Sequence, residues 1–261
     1  MKIVKLDKKH YKNFGGTKYY VDCNDYNPTD ILKIINDISI FKEVIKKNKH
    51  IVIKIAYNDK ANKKEYYILE KLKTINGFIK YFDNTNNILI EPYINLGSII
   101  RYKWTLDKIY ILKSLLKQTI ISLMEAYNDY GFLHNDLHLD NILFKKTKIE
   151  NIEYKDVKIK SDGYKVVIMD FDSSFIDVDR KTGLYFYWHD INNIFSRLDN
   201  DLKKYLIIIN NNIILNILKN NIINLPNSDK TIDLLELIDN LEFTLPSSSI
   251  LKFKYDPNVF G

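Results

Sequence analysis

The segment GFLHNDLHLDNILF (131–144) constrains this chain more than any other. Two acids, two asparagines and two histidines are set among leucines and an isoleucine, between a long helical period and an apolar strand. Upstream, Ile109, Leu112, Leu116, Ile120, Leu123 and Tyr127 recur at steps of three and four, which predicts one apolar helix face across residues 107–130. Asp107 falls in the first turn, where the helix dipole favours a carboxylate. The segment itself then reads as a loop carrying Asp136 and Asn141, followed by the strand Ile142–Lys145. Further on, VVIMDFDSS (166–174) reads as a buried strand, Tyr164–Met169, that delivers Asp170 to its end. Two carboxylates and an amide oxygen at strand–loop junctions are hard donors. Mg²⁺ takes such donors when phosphates complete its coordination. One carboxylate is left over to orient a hydroxyl nucleophile, as phosphoryl transfer requires.

A cationic phosphate anchor stands upstream. IVIKIA (51–56) alternates as a strand with a single Lys54 among apolar neighbours. An ammonium there needs a partner, because burying it unpaired is costly. The following stretch, Asn62–Lys73, predicts a helix with Ile68, Leu69 and Leu72 on its packed face and Glu65 as the partner. Glu70 is the alternative. Five residues turn a helix about 140° away, so only one of the two can face Lys54.

The rest of the chain sets bounds. At 261 residues, 46% hydrophobic and 28% charged, it can build one large domain or two lobes around a cleft. Of its 39 basic residues only Arg101, Arg180 and Arg197 are Arg, and the net charge of +6 comes from lysines interspersed with acids. That pattern is a solvated surface and indicates no nucleic-acid partner. Cys23 is the one cysteine, which excludes an internal disulfide and fits a reducing compartment, so an intracellular location is expected. The first 14 residues hold no apolar run of signal-peptide length. The most apolar stretch, 205–225, is broken by Asn and Lys every few residues, so it predicts core helices and no membrane span. Residues 38–46 and 50–56 read as a β-hairpin, Phe78–Phe82 and Ile88–Tyr93 as further strands. Pro28-Thr29-Asp30 caps a predicted short helix, and Asn227-Ser228-Asp229 another near Lys230–Asn240. The expected architecture is α+β and bilobal. A small β-rich lobe of about residues 1–93 and a larger helical lobe of about 94–261 form a single domain with the site in the cleft.

Taken in order, IVIK (51–54), Glu65, HNDLHLDN (134–141) and DFD (170–172) resemble the protein-kinase superfamily over roughly residues 36–200. IEPY (90–93) is similar to the hinge and HDINNIF (189–195) to the start of the helix whose aspartate, here Asp190, braces the catalytic loop. The resemblance implies ATP and Mg²⁺ as cofactors. It implies that Lys54 holds the α- and β-phosphates and pairs with Glu65, and that Asp136 orients the attacking hydroxyl. Asn141 and Asp170 would hold Mg²⁺, and His134 would brace the loop. Ile90 would be the gatekeeper, with the Glu91–Tyr93 backbone facing the adenine. His138 stands where many kinases have a phosphate-contacting Lys. Asp-Leu-His at that place, and an insert of about 20 residues before Asp170, resemble haspin. The His-Asn-Asp-Leu-His loop also resembles kinase-like proteins of large DNA viruses, and the Lys-, Ile- and Asn-rich composition suits such a source.

Departures from the family pattern bear on function. The glycine-rich loop GxGxxGxV finds its match at 37–44, with Asp37, Ser39 and Lys42 at the glycine places, Phe41 at the tip and Val44 over the adenine. FGGTKYY (14–20) is the alternative. Asn135 replaces the Arg that receives an activation-loop phosphate, and no Ala-Pro-Glu follows Asp170. The expectation is an atypical, monomeric serine/threonine protein kinase with a protein substrate. The alternatives are a small-molecule kinase on the same fold, favoured by the short segment after Asp170, and a pseudokinase binding module, favoured by the glycine-free loop.

Overall fold

The computed structural model describes residues 3–5, 17–24, 44, 48–55, 59–85, 88–203, 205–208 and 235–244. The predicted helix after Pro28, Phe41 and most of 205–225 lie outside them.

Among the described residues the N-terminal part holds a five-stranded antiparallel sheet and the helix Asp59–Leu72. Its strands are β1 (Ile3–Lys5), β2 (Thr17–Asp22), β3 (His50–Ile55), β4 (Asp83–Thr85) and β5 (Ile88–Pro92), in the order β1-β2-β3-β5-β4. Strand β3 is central and buried along its length, as its β-branched alternation demands. Successive side chains point to opposite faces. Ile51 and Ile53 therefore join Val21, Val44, Ile88 and Ile90 in an apolar cluster on one face. Val52 and Lys54 face the other way, toward the rest of the molecule. Helix α1 (Asp59–Leu72) sits on that inner face and buries Ile68, Leu69 and Leu72, the three residues its periodicity singles out.

This order corrects the predicted hairpin. Both edges of β3 are taken, by β2 and by β5, where a partner strand just before it in the chain was expected. Val44, the one described residue of that stretch, is helical. The expected strand at Phe78–Phe82 is also absent. Phe78 makes a single bridge to Ile168, and the strand forms later, at β4.

The C-terminal part is built on α2 (Ile109–Tyr130), which follows a 3-10 turn at Leu106–Lys108 and ends at Gly131 in the left-handed conformation (φ 56°). The helix is buried on nearly every side from Ile111 to Tyr127, beyond the single apolar face that the spacing predicts. Its polar members are consumed internally. Gln118 accepts from the Val166 amide at 3.0 Å and donates to the Tyr164 carbonyl at 3.1 Å. Those bonds hold β9 (Tyr164–Ile168) on α2, and β9 pairs antiparallel with β6 (Ile142–Lys146). The insert between them forms its own hairpin, β7 (Asn151–Glu153) and β8 (Lys158–Lys160). Helix α3 (Arg180–Leu202) carries HDINNIF in its middle, and β10 (Ile207–Ile208) pairs with β11 (Phe243–Thr244). Residues 235–239 are helical, within the stretch expected to follow Asn227. The main core joins α1, α2, β6, β9 and α3 continuously, so the two parts share one apolar interior.

Candidate active site

The ends of β3, β6 and β9 and the loop after α2 meet between the two parts. Lys54 lies there 1% exposed, with both Glu65 carboxylate oxygens at 2.7 Å from its Nζ. Glu70 is turned away and bonds Lys73 and Tyr81 instead. Asp172 stands 2.8 Å and Asp170 3.1 Å from the same ammonium. Burial alone would pull the Lys54 pKa down. The carboxylates of Glu65, Asp170, Asp172 and Glu91 reverse that and hold it well above the ordinary lysine value. Burial pushes Glu65 up, against the pull of Lys54 and with the help of Asp172 and Glu91. One cation thus stands among more acids than it can neutralise, and it remains an ammonium.

Asp170 is delivered by β9 and has φ 73°, a left-handed conformation that Asp adopts more readily than most residues and that its surroundings hold in place. Phe171 is fully buried against Phe78, Phe132 and His134, with ring centroids 5.6–6.0 Å apart. Ser174 donates to the His134 carbonyl at 3.0 Å, and the His134 ring bonds the Met169 carbonyl at 3.0 Å.

The loop after α2 is fixed from α3. Asp190, buried, accepts from the amides of His134 (2.8 Å) and Asn135 (3.0 Å). Asn135 has φ 61°, which its side-chain type tolerates. Asn141 donates to the Asp136 carbonyl at 3.0 Å, closing the loop and leaving its own amide oxygen as an acceptor. The Asp136 side chain is 51% exposed, with His138 Nε2 3.9 Å away. Burial lowers the His138 pKa.

Not every predicted site residue arrives. Ile90 points to the outer face of the sheet with Ile51, Ile53 and Val44, because it pairs directly with Ile53. Ile90 is therefore no gatekeeper in the cleft, and Val44 does not lie over a nucleotide. The side chain in the cleft is Glu91, paired with Val52. On the other side of Val52 is Tyr20 of β2, which hydrogen-bonds His50 at 2.8 Å and meets Tyr93 edge-on at 4.8 Å. Tyr20, which closes the FGGTKYY alternative, thus faces the cleft, and residues 14–16 of that alternative lie outside the described residues.

Sequence reasoning passed over Tyr20, Asp172, Leu143 and Met169. The second acid of DFD was visible as a motif oddity, but the other three depend on strand register. Val52, Ile79, Glu91, Ile94, Leu143 and Met169 surround a cavity of only about 10 Å³, room for about one water. A larger cavity of about 550 Å³ lies between α2, β8 and Asp239. Lys117, Lys158 and Lys160 on its wall are paired with Asp239, Glu153 and Asp162.

The donor set fits a magnesium–nucleotide. Asn141 and Asp170 offer hard oxygen donors of the kind Mg²⁺ takes, and Asp170 stands beside the buried Lys54 ammonium. Glu65, Asp170 and Asp172 also bring carboxylate oxygens within 4.8 Å of one another.

No family model and no curated protein matches the sequence. Among solved structures, the Rio2 kinase from Chaetomium thermophilum is similar at 14% identity and a TM-score of 0.46, over 60% of this chain and 51% of that one. Its ADP/Mg²⁺-phosphoaspartate complex is similar at 14% identity and 0.44, over 59% and 50%. The chain spans about half the length of those proteins. The fold is α+β in two parts, the five-stranded sheet with α1 and the helical part with the β6–β9 pair, joined at the lysine–glutamate pair across β3 and α1 and the acids that follow β9 and α2. No helix of the described residues is long and apolar enough to cross a membrane.

Proposed function

We propose that the chain is an ATP- and Mg²⁺-dependent phosphotransferase, an atypical serine/threonine protein kinase that acts on a protein hydroxyl. The observation that carries this reading is the buried Lys54–Glu65 pair with Asp170 in reach of the same ammonium. Lys54 holds the α- and β-phosphates. Asn141 and Asp170 would hold Mg²⁺, whose charge would offset that of the phosphates. Asp136, exposed at the mouth of the cleft, orients the hydroxyl. His138 sits beside it with its imidazole kept neutral by burial, a donor or acceptor toward the transferred group. Glu91 lines the adenine end, and Tyr93 follows it in contact with Tyr20.

The test is transfer of labelled γ-phosphate to mixed protein and small-molecule acceptors, read beside nucleotide binding. Asp136→Ala and Asp170→Ala each abolish transfer with the fold intact. Asp170→Ala also loses Mg²⁺-dependent nucleotide binding, and Asp136→Ala keeps most of it. Parent-level activity in Asp136→Ala removes the assignment of Asp136.

One observation favours a second reading, a pseudokinase module that binds a partner without turnover. The cavity at the adenine end is nearly shut, and the carboxylate of Glu91 is buried in its wall. Absence of any thermal stabilisation by Mg²⁺–ATP selects that reading.

A further inference from the structure

Lys54 Nζ offers three N–H donors, and its side chain is 1% exposed, so water satisfies none of them. Glu65 takes part of this capacity, as the proposed function requires. The remainder goes to Asp170 at 3.1 Å and, more closely, to Asp172 at 2.8 Å. Asp172 holds the third place of the DFD motif, where the kinase pattern has a glycine without a side chain. Its position is braced through the backbone. Lys64 donates to the Asp172 carbonyl at 3.2 Å, Asn135 to the Ser173 carbonyl at 3.3 Å, and the Ser174 amide to the Phe171 carbonyl at 3.0 Å. The buried Phe171 ring fixes the residue before it.

We propose that Asp172 is a built-in occupant of the phosphate anchor: its carboxylate takes the Lys54 donor that a nucleotide phosphate needs, and an incoming polyphosphate has to displace it. The proposal deepens the nucleotide-site reading and rests on it. A carboxylate and a phosphate oxygen make the same charge-assisted bond to an ammonium, so one substitutes for the other directly. Displacement also leaves Asp172 as one more anion beside the phosphates. Mg²⁺ or another cation has to offset it, and nucleotide without metal is disfavoured. Asp172 therefore sets a threshold on occupancy of Lys54 and keeps that ammonium engaged when polyphosphate is scarce.

The test uses the full chain and two probes, Mg²⁺–ATP and inorganic tripolyphosphate with Mg²⁺. Tripolyphosphate reads the anchor without the adenine end. Binding is measured by calorimetry for the parent, Asp172→Asn, Asp172→Gly and Lys54→Met, with thermal melts to show each is folded. The expected result is a Kd at least about tenfold lower for both probes in Asp172→Asn and Asp172→Gly, and loss of binding in Lys54→Met. Equal or weaker binding in the Asp172 variants, with the parent binding both probes through Lys54, overturns the proposal and leaves the nucleotide reading standing. Absence of binding in the parent and in both Asp172 variants overturns both.

Discussion

At the residue scale, several side chains stand under constraints that leave clear signatures. Asp190 is the acceptor for the buried His134 amide and the part-buried Asn135 amide, and burial raises its pKa. Asp190→Ala orphans both donors and is expected to cost about 3 kcal/mol in urea unfolding, at roughly 1–3 kcal/mol per unsatisfied buried group. Asn135→Val, placing a β-branched residue at φ 61°, is expected to cost about 1–2 kcal/mol in the same measurement. Cys23 is buried, and that burial, aided by Asp22, pushes its thiol up to about 11. At pH 8 the folded protein should alkylate slowly with iodoacetamide and rapidly once unfolded. The raised value also has a stability consequence. Between an ordinary thiol pKa near 9 and the folded value of about 11, the folded state binds more protons than the unfolded one. Stability from this group therefore falls as pH rises through that window.

At the element scale, the site depends on how β9 is held, because β9 delivers Asp170 and Asp172. Gln118 on α2 ties β9 down through both ends of its amide, and Gly77 lets the chain pass close by on the same helix. Gly77 has φ 92°, its carbonyl accepts from the Ile168 amide at 2.6 Å, and a Cβ there would stand 1.9 Å from Ser122 Oγ. Gly77→Ala is expected to destabilise by about 3 kcal/mol, combining strain at positive φ with overpacking. Gln118→Ala leaves the Val166 amide without its acceptor and is expected to cost about 2 kcal/mol, with nucleotide binding weakened as β9 shifts. Chemical denaturation with parallel nucleotide titration checks both. Helix α1 was legible in the sequence because Ile68, Leu69 and Leu72 mark its buried face. The partner of β3 was not, because a β-branched run near in sequence competes on equal terms with a distant one until register is known. The sheet uses β2, which is further away in the chain.

At the scale of the whole molecule, the two parts share one core, and the site lies where they meet. Asn135 stands where the kinase pattern has a phosphate-receiving Arg, and Ser174, one of the hydroxyls after Asp170, is fully buried with its Oγ bonded to the His134 carbonyl. Phosphatase-treated protein is therefore expected to transfer phosphate as well as untreated protein. Loss of activity on treatment contradicts this.

What the sequence determined by itself was the set of reactive groups and their order: Lys54 in an apolar strand, Glu65 a helical step beyond it, Asp136 and Asn141 in one loop, Asp170 at a strand end. These are local patterns, since a lone charge in an apolar run or a polar loop between apolar strands can be read without knowing what packs against it. Tertiary structure alone decided which side chains face the cleft. A one-residue change of register moves a strand's side chains to the opposite face. Pairing Ile53 with Ile90 therefore sends Ile90 out and Glu91 in, and pairing Val52 with Tyr20 brings an aromatic ring into the cleft. The same holds for Asp172, whose approach to Lys54 joins residues 118 positions apart in the chain. No local pattern encodes that contact, because it exists only after Phe171 is buried and the backbone turns at Asp170.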